Sequence, residues 1–210
     1  MDWTRPEAVF GNGLEGVCLR ILWRAGTGMT GRQVARVAEG AGSTSGIRYA
    51  LDRIVRQGVV DVESVGASNV YTINRDHLLF PAIDAAFRGT EVWPLFAQRI
   101  REVVHEVYGR DDAVTVAVFG SVARGEATVS SDVDLLVVTP DEDEQDRVDR
   151  FVSSLHGRAQ RWTGQAVQVY ATTPARLREA REHDDPIIAS FQADAVVVSG
   201  PRLQDVLVAA

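Results

Sequence analysis

The chain has 210 residues, 45% of them hydrophobic and 24% charged, with a formal net charge of −7. That composition fits one large or two small globular domains and excludes a fibrous or wholly disordered chain. All 22 basic residues are arginine, which excludes chemistry that needs a lysine: a phosphate-loop lysine, a kinase-type lysine or a Schiff base. No apolar run nears membrane-span length and there is no N-terminal signal pattern, so no membrane partner and a cytoplasmic location are expected. The single Cys18 falls on an apolar helical stripe and is expected to be buried packing.

Residues 1–75 carry nine arginines against seven acids, while the remainder is strongly acidic; an acidic protein can still present a locally basic face. Leu14, Val17, Cys18, Ile21 and Leu22 predict a first helix, stopped by Gly26 and Gly28. Thr30 and Gln33 form a capping-box signature for a second helix with Val34, Val37 and Ala38 inward. Ser43 or Thr44 caps a third, whose core stripe is Ile47, Leu51, Ile54 and Val55 and which Gly58 ends. Val59–Ser64 and Asn69–Ile73 alternate like the strands of a hairpin, with Gly66 near its tip. Three helices followed by a hairpin resemble a winged helix-turn-helix domain, and Leu51, Ile54, Val55, Gly58, Val59 and Val60 match the end of a recognition helix running into the wing. The resemblance implies a mostly α domain over 1–75 with a β-hairpin wing and a double-stranded DNA partner. Off the core stripe of the third helix, Ser45, Arg48, Tyr49, Arg53 and Arg56 suit phosphate and base-edge contacts in a major groove. The alternative is a solvated face in a module used for protein contacts, and Asp52 among these arginines argues against a strongly basic surface.

Residues 76–112 read as a connecting helical segment, with Phe96, Ile100, Val103 and Val107 marking a long amphipathic helix. His105 lies beside that stripe; it and His77, His156 and His183 show no metal-ligand spacing and read as structural. From 113 to 210 strands and helices alternate. Strands are predicted at 113–119, 132–138, 165–171 and 194–198, and helices at 120–126, 142–160, 173–183 and 201–207. This predicts an α/β domain with a mixed sheet and flanking helices. The acidic run 141–146 reads as the first turn of a helix begun by Pro140 and complementing its dipole. Trp162 and Tyr170 could stack on a base, although aromatics in this setting are more often core.

The segment from Val118 to Val138 is the most informative. A buried strand meets a Gly-Ser turn at Gly120 and Ser121; ten residues on, Asp132 and Asp134 open a second strand. Carboxylates two apart on a strand share a face and repel unless a cation bridges them. A hard divalent ion is the natural bridge, and backbone N–H groups at a strand-to-helix turn can cradle phosphate. Taken one at a time, these features also read as an ordinary turn, a tight corner and a common acidic pair. Together, Gly120, Ser121, Arg124, Gly125, Ser131, Asp132 and Asp134 resemble the nucleotidyltransferase superfamily that includes DNA polymerase beta, in particular its minimal nucleotidyltransferase branch.

That resemblance implies a nucleoside triphosphate substrate and Mg²⁺, or Mn²⁺ in its place. It makes Asp132 and Asp134 the catalytic metal ligands and places Gly120, Ser121, Arg124 and Ser131 on the nucleotide. The expected activity is transfer of a nucleotidyl group to an unknown acceptor, with an appended DNA-binding domain. The family also carries a third carboxylate on a neighbouring strand. The candidate strand here has none, and Gln168 is the expected occupant, which is neutral and cannot act as a base. Two alternatives follow: a DNA-binding regulator whose degenerate transferase domain senses a nucleotide, or an antitoxin-like transferase acting on a toxin protein partner. A homodimer is compatible with either.

Overall fold

The structure, a computed structural model, describes residues 1–6, 13–110 and 112–208. Two compact units make up the chain: Glu7–Glu91, and Met1–Pro6 together with Val92–Ala210.

In the Glu7–Glu91 unit, α1 (Leu14–Ala25) leads to a short strand β1 (Met29–Thr30), then α2 (Gly31–Val37) and α3 (Thr44–Arg56). The expected capping box is present, with Thr30 and Gln33 satisfying each other's backbone N–H groups. Ser43 caps α3 by accepting the Gly46 N–H at 3.1 Å. Strands β2 (Val60–Val65) and β3 (Ser68–Ile73) form the hairpin, and β1 adds to it, giving an antiparallel sheet of order β1-β3-β2. Cys18, Leu22, Val34, Ile47, Leu51, Ile54, Val60 and Tyr71 make the core. Burial pushes the Cys18 thiol up to about 11, so at neutral pH it is an inert packing group. One further helix, α4 (Phe80–Arg88), falls where the sequence reading has only a connector. Its tie to the unit is tertiary: the Trp23 indole donates to Asp84 at 2.8 Å and stacks on Phe87.

The second unit opens with α5 (Val92–Tyr108) and continues β4 (Thr115–Phe119), α6 (Gly120–Ala123), β5 (Val133–Val138), α7 (Gln145–Thr163), β6 (Val167–Thr172), α8 (Pro174–Glu182), α9 (Pro186–Asp194), β7 (Val196–Ser199) and α10 (Leu203–Val208). The sheet is mixed, in the order β6-β5-β4-β7; β5 and β6 run parallel, and β4 is antiparallel to both of its neighbours. Val116, Val118, Val133, Leu135, Val137 and Val167 face Ile100 and Val103 of α5 and Phe151 and Leu155 of α7. Ala117, Leu136 and Val138 face Leu177, Ile188, Phe191 and Leu203. Helices on both faces explain why β4 and β5 read as continuous apolar runs. Trp3 of the N-terminal strap stacks on Trp93 and Phe96, with ring centroids 5.4 and 5.2 Å away.

Several expectations change. Val37, expected to point inward on α2 with Val34 and Ala38, is exposed. Helix α7 starts at Gln145, with Glu144 in the N-cap position but no side-chain cap, and not at Pro140. The acids ahead of it are used between loops: Asp141 accepts the Ala175 N–H at 2.9 Å and Asp143 turns inward. Helix α9, capped by Asp185 on the Ile187 N–H at 3.0 Å, was not expected. Asp194 therefore ends a helix instead of starting a strand. Among the described residues, no helix is long and apolar enough to cross a membrane.

Removing a fully buried side chain from the second unit should cost far more than trimming the surface of the first. Leu155→Ala is expected to lose about 2–5 kcal/mol in chemical denaturation, the range for a core leucine. Tyr49→Ala, at an exposed position, should stay within about 0.5 kcal/mol.

Candidate active site

Strand β4 ends at Phe119, whose register partner on β5 is Asp134. The chain turns into α6 at Gly120, which has φ +71. A Cβ on Gly120 would overlap the Asp134 carboxylate. Glycine thus serves twice here, accepting a left-handed backbone and leaving room for an acid packed against its Cα. Asp134 is half-buried within β5, whereas Asp132 is exposed one residue ahead of the strand. Between them Val133 is buried in the core of the opposite face.

The Asp134 side chain makes no hydrogen bond among the described residues. Burial holds its pKa above the usual carboxylate value, and the charge of Asp132 adds to that; Arg124 opposes the shift and Asp194 adds again. Asp134 is thus a partly desolvated carboxylate with two other acids and one arginine near it. Among the described residues no group of three or more His, Cys, Asp or Glu side chains could hold a metal ion. Two carboxylates fit Mg²⁺ all the same, because that ion commonly takes one or two protein carboxylates and completes its shell with water and substrate phosphates.

The groups expected on the phosphates have partners of their own. The Gly120 N–H points at Asp194 Oδ1, at 3.4 Å. Arg124 pairs with Asp194 through its Nη1 and with Glu126 at 2.8 Å through its Nε. Asp194 is 9% exposed. Sequence reasoning missed this acid because it missed α9; the Asp185-Pro186 start and the Ile187, Ile188, Phe191 stripe could have revealed that helix. The Ser121 hydroxyl has no hydrogen bond among the described residues. Ser131 Oγ closes a turn by accepting the Thr128 N–H at 2.9 Å.

Gln168 lies on β6 directly opposite Asp134 in the parallel register, and it is exposed. Two residues on, Tyr170 is 37% exposed and meets Phe191 edge-on at 5.5 Å. Trp162 packs on Phe96, at 6.2 Å, under the Arg99 guanidinium. In the other unit, Ser45, Arg48, Tyr49 and Arg56 are exposed on α3, while Arg53 is ion-paired with Glu15 of α1.

Because the pKa of Asp134 is raised in the fold, the stability linked to it is present below the ordinary carboxylate pKa. It is lost as pH rises through the raised value. Asp134→Asn should therefore raise the Tm of the metal-free protein at neutral pH, with the gain shrinking in acid, when followed by calorimetry across pH. In Gly120→Ala the added methyl must displace the Asp134 carboxylate. That variant should lower Tm relative to wild type, read by the same calorimetry.

Residues 98–184 match the family model of the nucleotidyltransferase domain. No curated protein and no solved structure gives a significant match to the chain. The matched stretch includes β4, α6, β5 and β6, and with them Gly120, Ser121, Arg124, Asp132, Asp134 and Gln168; Trp3 and Asp194 lie outside it. The match supports nucleotidyl transfer as the general activity of this unit.

Proposed function

We propose that the chain is a Mg²⁺-dependent nucleotidyltransferase, with Mn²⁺ able to substitute, and that its Glu7–Glu91 unit is a winged helix-turn-helix domain that binds double-stranded DNA. The observation supporting the first part is the Asp134 carboxylate, packed against Gly120 at the strand–helix corner two residues after the exposed Asp132. Asp132 and Asp134 would hold the ion, and its chemistry when bound would be to offset charge on the reacting phosphate. The Gly120 N–H, the Ser121 hydroxyl and Arg124 bind and orient the triphosphate, with Ser131 holding the turn beside it. An acceptor hydroxyl attacks the α-phosphorus, the bond to the bridging oxygen breaks, and pyrophosphate leaves. The Gln168 amide cannot take the hydroxyl proton, so solvent takes it and turnover is slow.

The direct test is pyrophosphate release with each of four nucleoside triphosphates and Mg²⁺. Wild type is expected to release it slowly, and the double variant Asp132→Ala, Asp134→Ala not at all. Gln168→Glu restores a possible base, which should speed release by up to about a hundredfold. Fast wild-type turnover unchanged by that substitution rules out the role given to Gln168.

Two observations favour a second reading, a DNA-binding regulator whose transferase domain senses a nucleotide without turnover. They are the neutral Gln168 opposite Asp134 and the hold of Asp194 on both phosphate-side donors. Triphosphate binding with no pyrophosphate release under any nucleotide would decide for it.

The DNA proposal rests on the exposed outer face of α3. Arg48→Ala and Arg56→Ala should each weaken binding to the upstream region of the protein's own gene, and each should reduce the salt slope by about one. Arg53→Ala should act less through DNA than through loss of its ion pair with Glu15. Salt-insensitive binding, or none, would assign the unit to protein contacts.

A further inference from the structure

Gln165 stands at the entry to β6, 4% exposed. Its Nε2 donates to the carbonyls of Thr128 and Ser131, at 3.0 and 2.8 Å. Its Oε1 accepts the indole N–H of Trp3 at 2.7 Å. The amide can point only this way, since carbonyls only accept and an indole N–H only donates. A glutamate would set a carboxylate against two carbonyl oxygens, and a leucine would leave all three partners unmatched, the indole N–H among them buried.

The two carbonyls belong to the turn that delivers the site's acids. Thr128–Ser131 closes on itself, with the Ser131 N–H on the Thr128 carbonyl at 3.2 Å and the Thr128 N–H on Ser131 Oγ at 2.9 Å. Thr128, Val129 and Ser130 are exposed, so the core does not hold this turn through their side chains. Asp132 follows at once. The residue before it is fixed by Gln165, and the residue after it donates its N–H, at 2.9 Å, to the carbonyl of Ala166. Two consecutive residues thus bracket Asp132 on both sides. The outer end of the chain of contacts is Trp3, itself clamped by Trp93 and Phe96.

We propose that Trp3 and Gln165 are positioning residues for the metal-binding acids. The N-terminal strap holds Gln165, Gln165 holds the Thr128–Ser131 turn, and the turn sets where Asp132 stands beside the strand-held Asp134 to meet a divalent cation. The inference rests on the reading of those two acids as metal ligands. It makes the strap, far away in sequence, a working part of the transferase unit. Outer contacts that orient metal ligands typically change metal affinity by about ten- to a hundredfold when removed.

The test uses the full chain with Trp3→Phe, which keeps the ring packing and deletes only the N–H, and with Gln165→Glu and Gln165→Leu. Two quantities are measured: Mn²⁺ affinity by electron paramagnetic resonance, and amide hydrogen exchange resolved to the segment 128–134. Exchange in β4 reports whether each variant is folded. The expected result for Trp3→Phe is wild-type exchange in β4, faster exchange over 128–132 and a fall in Mn²⁺ affinity of about tenfold. Both Gln165 variants should fall further. A merely structural contact would lower Tm and leave Mn²⁺ affinity alone. Folded variants with unchanged Mn²⁺ affinity, whatever the turn does, overturn the proposal. If wild type binds no Mn²⁺, the metal reading itself fails; exchange over 128–132 then decides alone whether the relay holds the turn, and unchanged exchange in Trp3→Phe refutes it.

Discussion

The antiparallel register that sets Phe119 opposite Asp134 is the constraint on which the site depends. It carries the Asp134 carboxylate over the first residue of α6, and only a residue without a Cβ fits beneath it. A slip of one residue would send Asp134 to the face packed by α5 and α7 and bring Val133 or Leu135 to the corner. Register is specified here because a slip would carry the Asp134 charge into the apolar face packed by α5 and α7.

The electrostatics follow from that placement. Asp134 is desolvated and lies near Asp132 and Asp194, with Arg124 as the opposing charge. Arg124 is divided between Asp194 and Glu126 and so neutralises the site only in part. Asp194 sits at the C-terminal end of α9, where the helix dipole disfavours an acid. What holds it there is the pair of donors on the other side of the corner, the Gly120 N–H and Arg124. A carboxylate and a phosphate ask for the same donors. A phosphate that takes them must therefore displace Asp194, and the site as it stands is already organised around an anion.

The unit that carries the site is discontinuous in sequence, Met1–Pro6 with Val92–Ala210. Trp3 has its place in the aromatic cluster of α5, and its polar edge reaches Gln165. Satisfying the buried amide of Gln165 and satisfying the two carbonyls of the 128–131 turn are the same event. Packing, hydrogen bonding and the location of the acids are thereby coupled through one side chain.

Local pattern determined much of this protein. The Gly120–Ser121 turn, the Asp132–Asp134 pair, the apolar strands around them and the mixed α/β character of the second unit were all legible. So were the Thr30–Gln33 capping box, the Ser43 cap and the burial of Cys18. Each depends on residues within a few positions of one another, where helical and strand periodicity and turn chemistry act. Likewise, the expectation that Gln168 neighbours the Asp132–Asp134 pair agrees with its register opposite Asp134. Tertiary structure alone decided the rest. Helix α4 docks through the Trp23–Asp84 contact, and α9 brings Asp194 onto Gly120 and Arg124. The acids before α7 leave the helix because Asp141 has a distant backbone N–H to accept. Trp3 meets Gln165 across 162 residues. The order in which strands stack selects such contacts, and no periodicity in the chain encodes that order: a buried amide or an unmatched acid finds its partner only once the sheet has brought the two together.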